Sequence, residues 1–191
     1  MAKKLESNFL NMVAVLTVIG LVAALALGFT YSKTRPEIEA AALKKQEKII
    51  TAVLDGIPYD NKPLAEKYTV DGFDGLELYP AKQGGELVGV AVKTVSPAGY
   101  SGNVWIMVGF KPDGTINRTS VIEHKETPGL GTKMDTKWKD QYTGKNPGTN
   151  NLKVRNDGGE IDAITAATIS SRAFSGAVQK GYDAFMKGGK K

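Results

Sequence analysis

Residues Glu86–Phe110 read ELVGVAVKTVSPAGYSGNVWIMVGF, and this stretch decides the fold class. Val88, Val90 and Val92 alternate with smaller or polar residues up to Ser96, which is the two-residue period of a strand. Asn103–Phe110 (NVWIMVGF) is apolar almost throughout, as in a central strand. Upstream, Gly84-Gly85 divides Glu86–Ser96 from a further extended run at Gly75–Pro80, a hairpin signal. Downstream, Pro112-Asp113-Gly114 makes a turn and Thr115–His124 resumes the extended pattern. Thr143–Asn151, rich in Gly, Asn, Pro and Thr, reads as a loop. The pattern then changes period. In Ile169–Met186, the residues Ile169, Ala173, Ala177 and Phe185 share one helical face, widened by Phe174, Val178 and Tyr182, with Ser170 or Ser171 as the expected cap. Strands in the middle with helices outside predict an α+β domain, a central antiparallel sheet with flanking helices.

The amino-terminal side is of another kind. From Ser7 to Ser32 no residue is charged, and Met12–Phe29 reads MVAVLTVIGLVAALALGF. Phe9–Tyr31 would span roughly 35 Å as a helix, enough to cross a hydrocarbon core with some tilt. Phe9 and Tyr31 stand where interfacial aromatics belong. The competing reading, a cleaved signal peptide, has an apolar core of only about 7–15 residues, and Ala24-Leu25-Ala26 lies inside the run. Orientation stays open: Lys3 and Lys4 flank one end, and Lys33, Arg35, Lys44, Lys45 and Lys48 follow the other. Counting cations alone places the large domain inside, but the rule weakens when a long domain follows. Thr34-Arg35-Pro36-Glu37 offers a capping box, and Ile38, Ala42, Ile49 and Val53 recur at helical spacing until Asp55-Gly56-Ile57-Pro58 ends the pattern. The expected organisation is a tail at 1–8, a membrane helix at 9–31, a connecting helix at 32–56 and one domain at 57–191.

Composition narrows the chemistry. The 191 residues contain no cysteine and one histidine, His124. Iron–sulfur clusters, haem attachment through thioethers, disulfides, cysteine nucleophiles and multi-histidine zinc sites are therefore excluded. Electron transfer would need an organic cofactor. The net charge is +5, but its lysines and arginines are interspersed with acids, and only the Lys187–Lys191 tail forms a basic patch. That argues against a nucleic-acid partner.

Two segments could carry a site. His124–Gly131 (HKETPGLG) ends a strand with Pro and two glycines, so backbone amides could face a ligand there. A plain turn explains the same residues. His124 with Glu126 could form an acid–base pair, although a lone histidine at a strand end is more often a structural hydrogen-bonder. Asp162–Ser171 (DAITAATISS) places four hydroxyl residues and the small pair Ala166-Ala167 before a helix whose first amides would favour phosphate. A Ser/Thr cap explains one of those hydroxyls but not four.

These segments also carry a resemblance. Gly99-Tyr100-Ser101-Gly102, Met107-Val108-Gly109, Asp113-Gly114, HKETPGLG, Trp138–Lys145 (WKDQYTGK) and DAITAAT, behind one membrane helix, resemble the RnfG/NqrC family. These are the FMN-binding subunits of bacterial redox pumps: RnfG of the Rnf ferredoxin:NAD oxidoreductase and NqrC of the sodium-translocating NADH:quinone oxidoreductase. The short chain favours the former. The resemblance implies a membrane-anchored electron-transfer subunit, not a complete enzyme alone, in a complex that couples redox to Na+ or H+ movement. It implies FMN joined by a phosphoester to Thr168 and attached by a separate flavin transferase that recognises Asp162, Thr165, Ala167 and Thr168. Ala166 stands where such motifs often have Gly. Glu126, Thr127, Gly129, Leu130 and Gly131, with Thr165, Ala166 and Ala167, would surround the cofactor. The domain would lie on the periplasmic side of the inner membrane. A non-redox anchored adaptor and an anchored hydrolase using His124 are the readings from other classes. Pilins typically carry an acidic residue inside the apolar run, and no nucleophile-elbow pattern is present.

Overall fold

The computed structural model describes residues 8–189. Lys3, Lys4 and the last two lysines lie outside the described residues. Two compact units divide at Lys45/Gln46.

The first unit is helical. Helix α1 (Phe9–Val53) runs for 45 residues, and its apolar part is long and hydrophobic enough to cross a membrane. The hydroxyls of Thr17 and Thr30 donate back to the carbonyls of Val13 and Ala26, each at 2.8 Å, so neither needs water. The capping box expected at Thr34 does not form. Thr34 instead donates to the Thr30 carbonyl at 2.9 Å, and Pro36 sits inside the helix. Pro36 has no N–H to give the ladder, and its ring crowds the carbonyl four residues back.

The second unit, Gln46–Lys191, is built on four antiparallel strands: β1 (Glu77–Gln83), β2 (Glu86–Gly99), β3 (Gly102–Phe110) and β4 (Ile116–Glu123), in the order β1-β2-β3-β4. Helix α2 (Thr168–Gly188) covers one face. Val90, Val92, Val104, Ile106, Val108 and Phe110 point into that core with Phe174, Val178 and Phe185. Thr94 donates to the Ala177 carbonyl at 3.0 Å across the same seam. The end of α1 covers the other face, where Ile50, Val53 and Leu54 pack on Tyr79, Ala81, Ala91 and Met107. Burial on both faces explains why NVWIMVGF is nearly continuous in apolar residues. The last turns of α1 therefore belong to the domain's core, ahead of residue 57.

Ile169 departs from the helical-face expectation: it is 48% exposed. The remainder of that face is buried or half-buried. The cap differs as well. The residue before α2 is Ala167, which makes no side-chain capping bond, and Ser170 and Ser171 sit inside the first turn. Among the described residues, three short 3-10 helices at Gly131–Asp135, Lys137–Tyr142 and Arg155–Asp157 lie in stretches where no element was expected.

Candidate functional site

Three segments far apart in sequence meet beside the start of α2: the Gly99–Gly102 turn between β2 and β3, the loop after β4, and Asp162–Ser171. Glu126 joins them. It is 5% exposed, accepts a hydrogen bond from the Ser101 N–H at 3.2 Å and another from the Ser170 hydroxyl at 2.6 Å. Two glycines make room for it. A Cβ at Gly99 would stand 2.7 Å from a Glu126 carboxylate oxygen, and one at Gly131 would meet Glu126 and Ser170 within 2.8 Å. His124 does not pair with the Glu126 carboxyl group; its Nδ1 accepts from the Glu126 backbone N–H at 3.2 Å, the structural hydrogen-bonding role that is commoner for a lone histidine at a strand end.

The third segment is held from behind. Trp138 Nε1 donates to the Asp162 carbonyl at 2.6 Å, and the Asp162 N–H donates to Gln141 at 2.8 Å. Trp138 meets Phe174 edge-on at 5.3 Å, which fixes the indole against α2. Ile164 is buried and its N–H donates to the Ser171 hydroxyl at 2.9 Å. The chain then turns through Ala166, the one non-glycine residue described with positive φ, at 61°. Asp162 and Thr165 remain exposed, with Asp162 paired to Arg155 at 2.6 Å on the surface.

A cavity of about 500 Å³ opens between these segments, within the range of small-molecule sites. Tyr100 contributes from the turn, Glu126, Thr127, Leu130 and Gly131 from the loop, and Ala166–Ser170 from the helix start. Gly129 and Thr165 are not among its lining residues. Gly129 shapes the loop instead, with φ of 76° and its N–H donating to the Thr132 hydroxyl at 3.0 Å. Tyr100, Ile169 and Ser170 are additions that the sequence did not assign. The signal for Tyr100 was an aromatic residue between two glycines at a strand turn. A second cavity of about 590 Å³, lined in part by Pro147, Leu152 and Gln179, is larger. Of the three charged groups on its wall, Asp157 and Arg172 neutralise each other through two 2.7 Å bonds and Lys153 is the third, and neither sequence segment reaches it.

Thr168 is the first residue of α2 and lines the smaller cavity, half-buried. Its hydroxyl has no hydrogen-bond partner among the described residues. The N–H groups of Thr168, Ile169 and Ser170 precede the first intrahelical bond, Ser171 N–H to the Ala167 carbonyl at 3.1 Å. A free hydroxyl, unsatisfied amides and the positive end of a 21-residue helix on one cavity wall suit a phosphate ester. The described residues include no cluster of three or more potential metal-ligating side chains.

Residues 99–183 match the family model described as an FMN-binding domain. The chain is 34% identical over 176 residues to the G subunit of the ion-translocating oxidoreductase complex of Erwinia tasmaniensis, covering 85% of this chain and 84% of that one. It is 33% identical over 181 residues to the corresponding protein of Aliivibrio fischeri, covering 87% and 85%. Among solved structures, the NqrC of Shewanella oneidensis aligns over 58% of each chain at 24% identity with a TM-score of 0.47. On the strength of these relatives, this chain belongs to the RnfG family, the G subunits of ion-translocating oxidoreductase complexes.

Proposed function

We propose that the chain is a membrane-anchored electron-transfer subunit of an Rnf-type complex, carrying FMN covalently through a phosphoester on Thr168 Oγ1. The single observation that carries this reading is the position of Thr168: the last residue of the DAITAAT motif, first in α2, on the cavity wall. Bound FMN would supply one- and two-electron chemistry; the protein supplies position and electrostatics. The amides of Thr168, Ile169 and Ser170 would hold the phosphate, which keeps about one negative charge as a diester. Leu130 and Ile169, 39% and 48% exposed on the cavity rim, would cover the ring's apolar surface. Thr168 has no base hydrogen-bonded to it, so a separate flavin transferase must make the ester. Asp162 and Thr165, exposed in the folded chain, are accessible for that enzyme to read. The remaining subunits donate and accept electrons and couple them to Na+ or H+ movement, with the domain on the periplasmic side.

The test is co-expression with a flavin transferase followed by denaturing electrophoresis and intact mass. The wild-type chain is expected to fluoresce and to gain FMN less one water, mapped to the Thr168 peptide, and Thr168→Ala to do neither. Equal fluorescence in both would overturn the assignment.

A further inference from the structure

Glu126 is a costly residue for the fold to bury. Its carboxyl group is almost fully enclosed, and among the described residues no Lys or Arg forms an ion pair with it. Burying a carboxylate without a cation is unfavourable unless hydrogen bonds offset it, and a shape-matched apolar residue would stabilise a core more simply. Two donors do face it, the Ser101 N–H at 3.2 Å and the Ser170 hydroxyl at 2.6 Å. Both place it at the cavity. Ser101 follows Tyr100, which lines the cavity, and Ser170 belongs to the first turn of α2 and lines it too. Glycine at 99 and 131 clears the space, since a side chain at either would strike the carboxyl group or its neighbours. The anion also shares the positive end of α2 with whatever Thr168 carries.

Building on the covalent-flavin reading above, we propose that Glu126 is a positioning residue that sets the flavin's reduction potential. Its carboxylate clamps the Tyr100 turn and the first turn of α2 against the cavity and keeps a fixed negative charge on the wall. Adding an electron to the flavin adds negative charge beside that carboxylate. In a poorly solvated wall the repulsion is weakly screened, so the charge lowers the potential.

The experiment uses the full chain co-expressed with the transferase, with flavin loading scored by intact mass and the potential by spectroelectrochemical titration. Glu126→Gln keeps the shape and removes the charge; it is expected to load fully and to show a more positive potential than the wild type. Ser170→Ala removes the 2.6 Å donor that partly neutralises the carboxylate, and is expected to load fully with a more negative potential. Opposite signs are the signature, because simple loosening of the site would move both variants the same way. Loaded Glu126→Gln with an unchanged or lowered potential overturns the proposal. Should that variant not load, an unchanged or raised potential in Ser170→Ala overturns it instead. Failure of both to load, with the wild type loaded, would make Glu126 a folding residue and also overturn it. A wild type that never gains flavin mass would instead defeat the reading of Thr168, which separates the two failures.

Discussion

Ala166 holds a left-handed conformation, φ 61°, that L side chains enter at a cost of about 1–2 kcal/mol. The turn requires it: it lets Ile164 go into the core and brings Thr168 to the start of α2. Glycine would remove the steric cost and lose part of the gain to unfolded-chain entropy. Ala166→Gly is therefore expected to raise the unfolding free energy by about 0.5–1 kcal/mol, read as a higher denaturant midpoint with unchanged slope. An unaltered or lower midpoint would show that the turn is not strained. The sequence held half of this. DAITAAT marked the segment and the small residues marked its access, but the sign of a backbone angle cannot be read from Ala-Ala. Glu126 was legible as a polar residue of the candidate site and not as a buried one. Its burial depends on Ser101 and Ser170, which lie 25 and 44 residues away.

At the level of elements, the strand pattern was readable because a two-residue period survives in β2 and in the strongly apolar β3. The 3-10 helices were not, since runs this short carry too little periodicity to register. Nor was the crossing of α1 over the sheet, which turns on a residue with no side chain. A Cβ at Gly109 would lie 2.1 Å from the Val53 carbonyl oxygen. Gly109→Ala must push the end of α1 off β3 or bend the strand, at a cost of about 1–3 kcal/mol or more. Thermal unfolding of that variant should begin earlier than in wild type. Contact of Ile50 and Val53 with Met107 should weaken, visible as loss of amide exchange protection near Val53. An unchanged melting curve would mean that the helix end is not anchored there.

For the molecule as a whole, acid sensitivity has an identifiable source. Burial pushes the Glu77 carboxyl group up, but hydrogen bonds from Lys67, Tyr79 and Lys93 outweigh it and hold the value at about 2. Tyr79 is in turn bonded by Gln46, so the network ties β1 to α1. In the unfolded chain Glu77 takes its proton near an ordinary glutamate value of about 4.3, well before the folded chain does. The stabilisation is thus complete above that value and fades as pH drops toward 2. Glu77→Gln should be less stable than wild type at neutral pH, and the gap should close across that acid window; a constant gap would remove Glu77 from the explanation. Charge counting left the topology undecided, because cations flank both ends of the apolar run. The cysteine-free chain makes the measurement clean: a single cysteine introduced at Lys191 should react with an impermeant reagent from the periplasmic side, and labelling only from the cytoplasm would refute the proposed placement.

The seam between Thr94 and Ala177 joins residues 83 positions apart, and α2 follows all four strands in the chain. A ribosome therefore releases the whole meander of strands before the piece that roofs it arrives. Until then one side of the sheet is greasy and uncovered, a window in which partial products are prone to clump. The same ordering acts as proofreading. A polypeptide cut short ahead of Thr168 can build strands but never closes the pocket, and it lacks the hydroxyl on which the yellow cargo would be mounted. Under the proposed attachment, colour would report that synthesis had passed Thr168.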